Sequence, residues 1–156
     1  MTAQPCGTSL ALESADQPEV IALIAELDAY QDTLYPPESR HLLDLSGLTQ
    51  PNVLFAVARD ASGRAIGCCA VVLSPDFGEL KRMFVSPHGR GQGAGGRLLA
   101  LLEAEARGRG CGLLRLETGP YQPEALALYA RCGFARRGPF GGYADDPLSV
   151  FMEKAL

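Results

Sequence analysis

Residues 79–102 read ELKRMFVSPHGRGQGAGGRLLALL, and this stretch decides the fold. Leu80 and Met83-Phe84-Val85 suit a pleated strand, and Pro87 ends it because proline cannot donate to a ladder. Gly91, Gly93, Gly95 and Gly96 then crowd into a loop. Behind them Leu98, Leu99, Leu102 and Ala106 recur at helical spacing. Glycines let a backbone approach a ligand closely and permit positive φ. The helix that follows turns unpaired N–H groups and its positive dipole end toward the loop. Arg90 adds a permanent charge. Strand, glycine loop and helix N-terminus together predict a cradle for a phosphate or pyrophosphate; the alternative is a glycine-rich surface turn.

Two nucleotide readings compete for that loop. Gly91, Gly93 and Gly96 fit G-x-G-x-x-G, and Glu117 lies near the distance of a Rossmann acid. That loop belongs after the first strand of a βαβ series, whereas here about half the chain precedes it and residues 86–90 intervene between strand and first glycine. No Gly-Lys-Ser/Thr follows, so a Walker loop is excluded. The second reading is more specific. Arg90-Gly91-Gln92-Gly93-Ala94-Gly95 fits R/Q-x-x-G-x-G/A and resembles the acetyl-CoA loop of the GNAT acyltransferase superfamily. Ala125 to Phe134, ALALYARCGF, resembles the family's second signature, A-x-x-L-Y-x-x-x-G-F. The resemblance covers residues 52–156 well and the first fifty in outline.

The resemblance implies an α/β (α+β) GNAT fold, a mixed central sheet of about seven strands flanked by helices in the order βααβββαβαββ. It implies acetyl-CoA as cosubstrate. Arg90, Gly91, Gln92, Gly93, Ala94, Gly95 and Gly96 would hold its pyrophosphate. Met83, Phe84 and Val85 would meet the pantetheine and acetyl groups through backbone exposed where two parallel strands splay apart. Tyr129 matches the tyrosine that serves the departing sulfur. Seven residues before it, where the family often carries asparagine, this chain has Gln122, a longer amide expected at the coenzyme.

Composition bounds the function. The chain of 156 residues carries 47% hydrophobic and 21% charged residues, which predicts a folded domain, read as a single one over 1–156. A net charge of −4 leaves no basic surplus for nucleic acid. The five cysteines, Cys6, Cys68, Cys69, Cys111 and Cys132, show no metal spacing, and no metal is expected. They read as reduced, mostly buried thiols, and neither His41 nor His88 stands in a nucleophile motif. Without a signal peptide or a membrane-length apolar run, a cytoplasmic protein is expected.

In order, Thr8–Glu13 reads as a first strand. Asp16 is the expected cap of a helix from Pro18 to about Leu34, stopped by Pro36-Pro37. A short helix is expected over Glu38–Leu45. Strands over Asn52–Arg59, Ala65–Leu73 and Phe77–Val85 make an antiparallel meander. After the glycine loop come a helix to about Arg109, a strand at Leu113–Glu117 parallel to its predecessor, and a helix over Glu124–Cys132. A sixth strand starts at Phe134, and the last spans Leu148–Glu153. The exposed last strands are edges through which a homodimer could pair.

The implied chemistry is attack of an amine on a thioester. An amine of pKa about 10.4 is an ammonium ion at pH 7, so freeing it costs about 4.6 kcal/mol, and a base should offset that. Glu79 is the candidate base, acting through a water; the competing reading is a strand residue paired with Lys81 on the same face. Tyr129 is the candidate donor to the forming thiolate, against the alternative of a packing residue. The acceptor, a small-molecule or peptide amine, should be walled by Tyr35–His41 and Phe140–Ser149, with Glu38, Asp145 and Asp146 at its mouth. Rival functions are a protein-lysine or antibiotic acetyltransferase, a non-catalytic acyl-CoA sensor, and a nicotinamide-binding module.

Overall fold

A computed structural model describes residues 7–39 and 43–156. The elements run β1 (Ser9–Leu12), α1 (Pro18–Asp32), α2 (Leu45–Leu48), β2 (Val53–Arg59), β3 (Ala65–Leu73), β4 (Gly78–Val85), α3 (Ala94–Gly108), β5 (Leu113–Thr118), α4 (Pro123–Arg131), β6 (Ala135–Arg137) and β7 (Val150–Ala155). This is the expected order, βααβββαβαββ. The strands form one seven-stranded sheet ordered β1-β2-β3-β4-β5-β7-β6. All neighbours are antiparallel except β4 and β5. A helical crossover through α3 joins that parallel pair, as its length demands.

Alternation in β2 sorts the core into two layers. Leu54, Ala56 and Ala58 face α3 and α4 and pack with Leu98, Leu99, Leu102 and Tyr129. Phe55 and Val57 face α1 and α2 and pack with Val20, Leu23, Leu27 and Leu48. Each fully buried side chain of this kind contributes about 1.5–3 kcal/mol, so the sheet is fixed from both faces. The crossover helix α3 ends as its glycines predict. Gly110 takes φ +83, while Gly110 N–H bonds Arg107 O at 3.0 Å and Cys111 N–H bonds Ala106 O at 2.9 Å, a Schellman closure.

Strand β4 is the irregular member. Cys68 pairs with Phe84 and Ala70 with Lys81, so Arg82 and Met83 together oppose Cys69. This is a β-bulge, and Arg82 at its centre has φ +59. The extra residue reverses the alternation: Leu80 lies in the layer with α3, Phe84 in the layer with α1. The strained conformation is held from outside. The Arg82 side chain is 6% exposed; it pairs with Asp28 of α1, and its Nε and Nη2 donate to Leu43 O at 3.3 and 3.2 Å. Beyond the bulge the two parallel strands part. Their ladder ends at Leu80 opposite Leu116, although β4 runs on to Val85.

Several expectations shift. Gln17, not Asp16, occupies the N-cap of α1; its amide bonds Glu13 and Ser14 O instead of capping. The helix expected over 38–45 is a 3-10 turn at Pro37–Ser39 followed by α2. Asp44 explains the delay, because its carboxylate caps α2 by accepting from Gly47 N–H at 2.9 Å. Residues 40–42, including His41, and Cys6 lie outside the described residues. Cys68 and Cys69 are buried, Cys111 and Cys132 half-buried. Strand β7 starts later than expected because Asp146 turns the chain, accepting Leu148 N–H at 2.8 Å on its carboxylate and Ser149 N–H at 2.9 Å on its carbonyl. It also lies inside the sheet, between β5 and β6, so the last strand is no free edge for pairing. Among the described residues, no helix is long and apolar enough to cross a membrane.

Candidate active site

The splay between β4 and β5 opens onto both faces of the sheet. At the α3 and α4 side lies a groove of about 710 Å³, lined by Met83, Phe84, Val85, residues 89–91 and 93–96, and one face of 122–132, with Leu27 and Tyr30 of α1 at its edge. That volume fits a ligand of cofactor size. On the α1 side lies a narrower cleft of about 90 Å³. Met83, Gln122 and Ala125 line both, so the two spaces meet at the gap in the ladder.

The groove is shaped for an anion at its loop end. Gly91 and Gly93 adopt φ +83 and +71, and Gly93 is the N-cap of α3. A Cβ at Gly91, Gly93 or Gly96 would meet nothing within 4 Å; at these places glycine leaves open space rather than relieving a clash. The first intrahelical bond is Arg97 N–H to Gly93 O at 3.1 Å, so the amides of Ala94, Gly95 and Gly96 precede it and project from the helix N-terminus. Arg90 lines the groove while its Nε donates to Val85 O at 3.2 Å. Gln92 turns away: its Oε1 accepts from Thr8 Oγ1 at 2.6 Å, and it is not among the groove residues.

Tyr129 stands one helical turn beyond Ala125 on α4. It is 5% exposed, packs edge-to-face on Phe134 with centroids 5.8 Å apart, and lines the cleft. Burial pushes its phenol well above the ordinary value. A neutral hydroxyl in that position donates a hydrogen bond but gives up its proton reluctantly.

Glu79 is not brought into the cleft. It lies on the α1 face of β4, where its carboxylate accepts from Tyr143 Oη and pairs with Lys81 Nζ at 3.3 Å. Lys81 also donates to Tyr143 Oη at 2.7 Å. Burial, then the bond to Glu79, raises the Tyr143 phenol above its ordinary pKa. Lys81 lines the cleft; Glu79 does not.

The carboxylate that lines the cleft is Glu117. It follows Leu116, the last residue of β5 in the parallel ladder, and its Oε2 accepts from Ser149 Oγ at 2.8 Å. Ligands gather beyond the carboxyl ends of parallel strands where neighbours diverge, and that rule could have pointed to Glu117 once the strands were drawn. The expected walls arrive in part: Tyr35, Ser39 and Leu148 line the cleft. Of the expected acidic mouth, none of Glu38, Asp145 and Asp146 lines the cleft; Asp146 reaches it only through Ser39, whose Oγ donates to its carboxylate at 2.7 Å.

Comparison with known proteins converges on one family. The profile described as "Acetyltransferase (GNAT) family" matches residues 20–134. An IAA acetyltransferase from Azospirillum brasilense is 53% identical over 95% of this chain and 97% of its own. The uncharacterized N-acetyltransferase YsnE of Bacillus subtilis is 37% identical over 88% and 93%. The crystal structure of a candidate acyl-CoA N-acyltransferase from Klebsiella pneumoniae superposes with a TM-score of 0.82 at 45% identity, covering 96% of this chain and 97% of that one.

Proposed function

Because the chain belongs to the GNAT acetyltransferase family and is an acyltransferase, we propose that it moves the acetyl group of acetyl-CoA to a primary amine of a small molecule, amino acid or peptide by direct attack. The observation that carries this reading is the meeting of groove and cleft at the splayed strands, where Met83, Gln122 and Ala125 line both and Tyr129 lines the cleft. Acetyl-CoA supplies an activated acyl thioester. The residues present fit it: Gly91, Gly93, Ala94, Gly95, Gly96 and Arg90 would hold the pyrophosphate, and Met83, Phe84 and Val85 offer the backbone edge that β5 leaves unpaired. Gln122 would meet the pantetheine where groove joins cleft.

Tyr129 donates its O–H to the departing sulfur. A thiol of pKa about 8.5 leaves readily as thiolate, so a hydrogen bond suffices and full proton transfer from a buried phenol is not required. Glu117 meets the incoming ammonium and takes the proton that frees the amine; as the C–N bond forms and the C–S bond breaks, the nitrogen sheds a second proton, which ends on the released thiol. Glu79, proposed from the sequence as a base through a water, is held by Tyr143 and Lys81 and does not line the cleft. A cleft of about 90 Å³ favours a slender acceptor over a folded protein surface.

A thermal-shift series with acetyl-CoA, CoA, NAD and ATP tests the coenzyme. A ligand confined to the folded state adds about 2.7 kcal/mol at a hundredfold excess over its Kd. Thiol release is then followed over a panel of n-hexylamine, tyramine, spermidine and IAA, the last because a relative carries that name. A shift with NAD and none with acetyl-CoA overturns the reading.

A further inference from the structure

Tyr35 follows α1 and forms part of the acceptor wall, yet its strongest contacts are with the turn that launches α4. It is 8% exposed. Its ring stacks on Tyr121 with centroids 5.5 Å apart and planes at 13°. Its hydroxyl oxygen accepts Tyr121 N–H at 3.0 Å across a part-buried contact, although Tyr121 itself is exposed. The turn is shaped to admit this ring: a Cβ on Gly119 would lie 1.9 Å from Tyr35 Oη and 2.1 Å from Cζ. Only glycine fits there.

On the other side of that turn stands the coenzyme groove. Gln122, directly after Tyr121, is the N-cap of α4 and lines groove and cleft alike, whereas Tyr35 lines the cleft alone. The Gln122 side chain makes no cap bond to its helix, so its orientation depends on where the preceding turn is held. We propose that Tyr35 is a positioning residue for the coenzyme: by fixing the Tyr121 amide it sets Gln122 and the start of α4, so that a residue of the acceptor wall controls affinity in the neighbouring groove. This rests on the coenzyme reading above and adds to it a link between two binding sites, each with its own ligand.

The test is a double-mutant cycle of Tyr35→Phe and Gln122→Ala on the full chain, read by CoA titration and by acetyl-CoA kinetics with whichever panel amine wild type acetylates fastest. Tyr35→Phe keeps the stack and removes one acceptor. The expected result is a KM for acetyl-CoA and a Kd for CoA raised about threefold to tenfold, a change larger than any in kcat. In the double variant the effect should not exceed that of Gln122→Ala alone, because the path runs through that side chain. Additive losses, or a Tyr35→Phe variant that binds CoA like wild type, overturn the coupling while leaving the transferase reading intact. A wild-type chain that binds no CoA overturns both.

Discussion

The coenzyme groove and the acceptor cleft adjoin, yet the chain builds them in opposite ways. Apart from Leu27 and Tyr30, the groove comes from residues 83–96 and 122–132, two stretches shaped by local backbone conformation. The cleft is gathered from the end of α1, the 3-10 turn at Pro37–Ser39, Leu43, the bulge of β4, the end of β5, α4 and Leu148. Side-chain contacts hold it: Arg82 to Asp28, Ser39 to Asp146, Ser149 to Glu117, Tyr143 to Glu79. A site made of backbone is conserved by geometry. A site made of side chains can be retuned one residue at a time, which suits a coenzyme shared by many reactions and an acceptor peculiar to one.

Variants can break that division. The largest effect should come from Glu117→Gln, which removes the carboxylate lining the cleft; kcat should fall about 100-fold while CoA affinity stays unchanged. A variant turning over at the wild-type rate would remove Glu117 from the reaction. Gly93→Val should do the reverse. Space is free for the side chain, but φ +71 is hostile to a β-branched residue, so Kd for CoA should weaken about tenfold with kcat little changed once coenzyme is saturating. Tyr129→Phe should lower kcat about fivefold, the worth of one hydrogen bond, and leave KM for acetyl-CoA alone; an unaltered kcat returns Tyr129 to the core.

The smallest effect should appear in acid. Hydrogen bonding to Arg137, then to Arg115, holds Glu153 below the ordinary carboxylate value of 4.5, and Arg59 does the same for Glu13. A depressed carboxyl stabilises the folded chain above its unfolded pKa, and that stability drains as pH falls below 4.5 through the lower folded value. Melting curves should therefore drop over that window. Glu153→Gln should melt lower at neutral pH and lose less on acidification; an identical acid dependence would show that the Arg115–Glu153–Arg137 cluster carries no such linkage.

The same contrast explains how much could be read in advance. The glycine loop and α3 were legible because their signal is local: glycines at fixed offsets, then leucines at helical spacing. The parallel partner followed from the length of the crossover. The bulge was not legible, since nothing in LKRMFV marks Arg82 for positive φ; a distant Asp28 and the Leu43 carbonyl stabilise it. For the same reason Glu79 and Glu117, both acids on strands, could not be ranked by sequence. Their partners come from far along the chain: Tyr143, sixty-four residues on, bonds Glu79, and Ser149 bonds Glu117. The cap of α1 failed on competition: Gln17 finds Glu13 and Arg59 through its side chain, and the helix begins without a side-chain cap.

The bulge at Arg82 also sets a rule for how this chain can change length. Because β4 carries one residue more than β3 across the bulge, deleting residue 82 or 83 would leave Leu80 and Phe84 three apart in a regular strand, still opposite Val71 and Cys68 and still in opposite layers. Exchanges at Arg82 would be survivable in proportion to the strain and the contacts they alter. A one-residue deletion there would keep the ladder in phase with β3, whereas a further inserted residue would turn over everything downstream as far as the glycine loop. Descendants of this sequence should therefore accept the loss of one residue at 82–83 more readily than the gain of one.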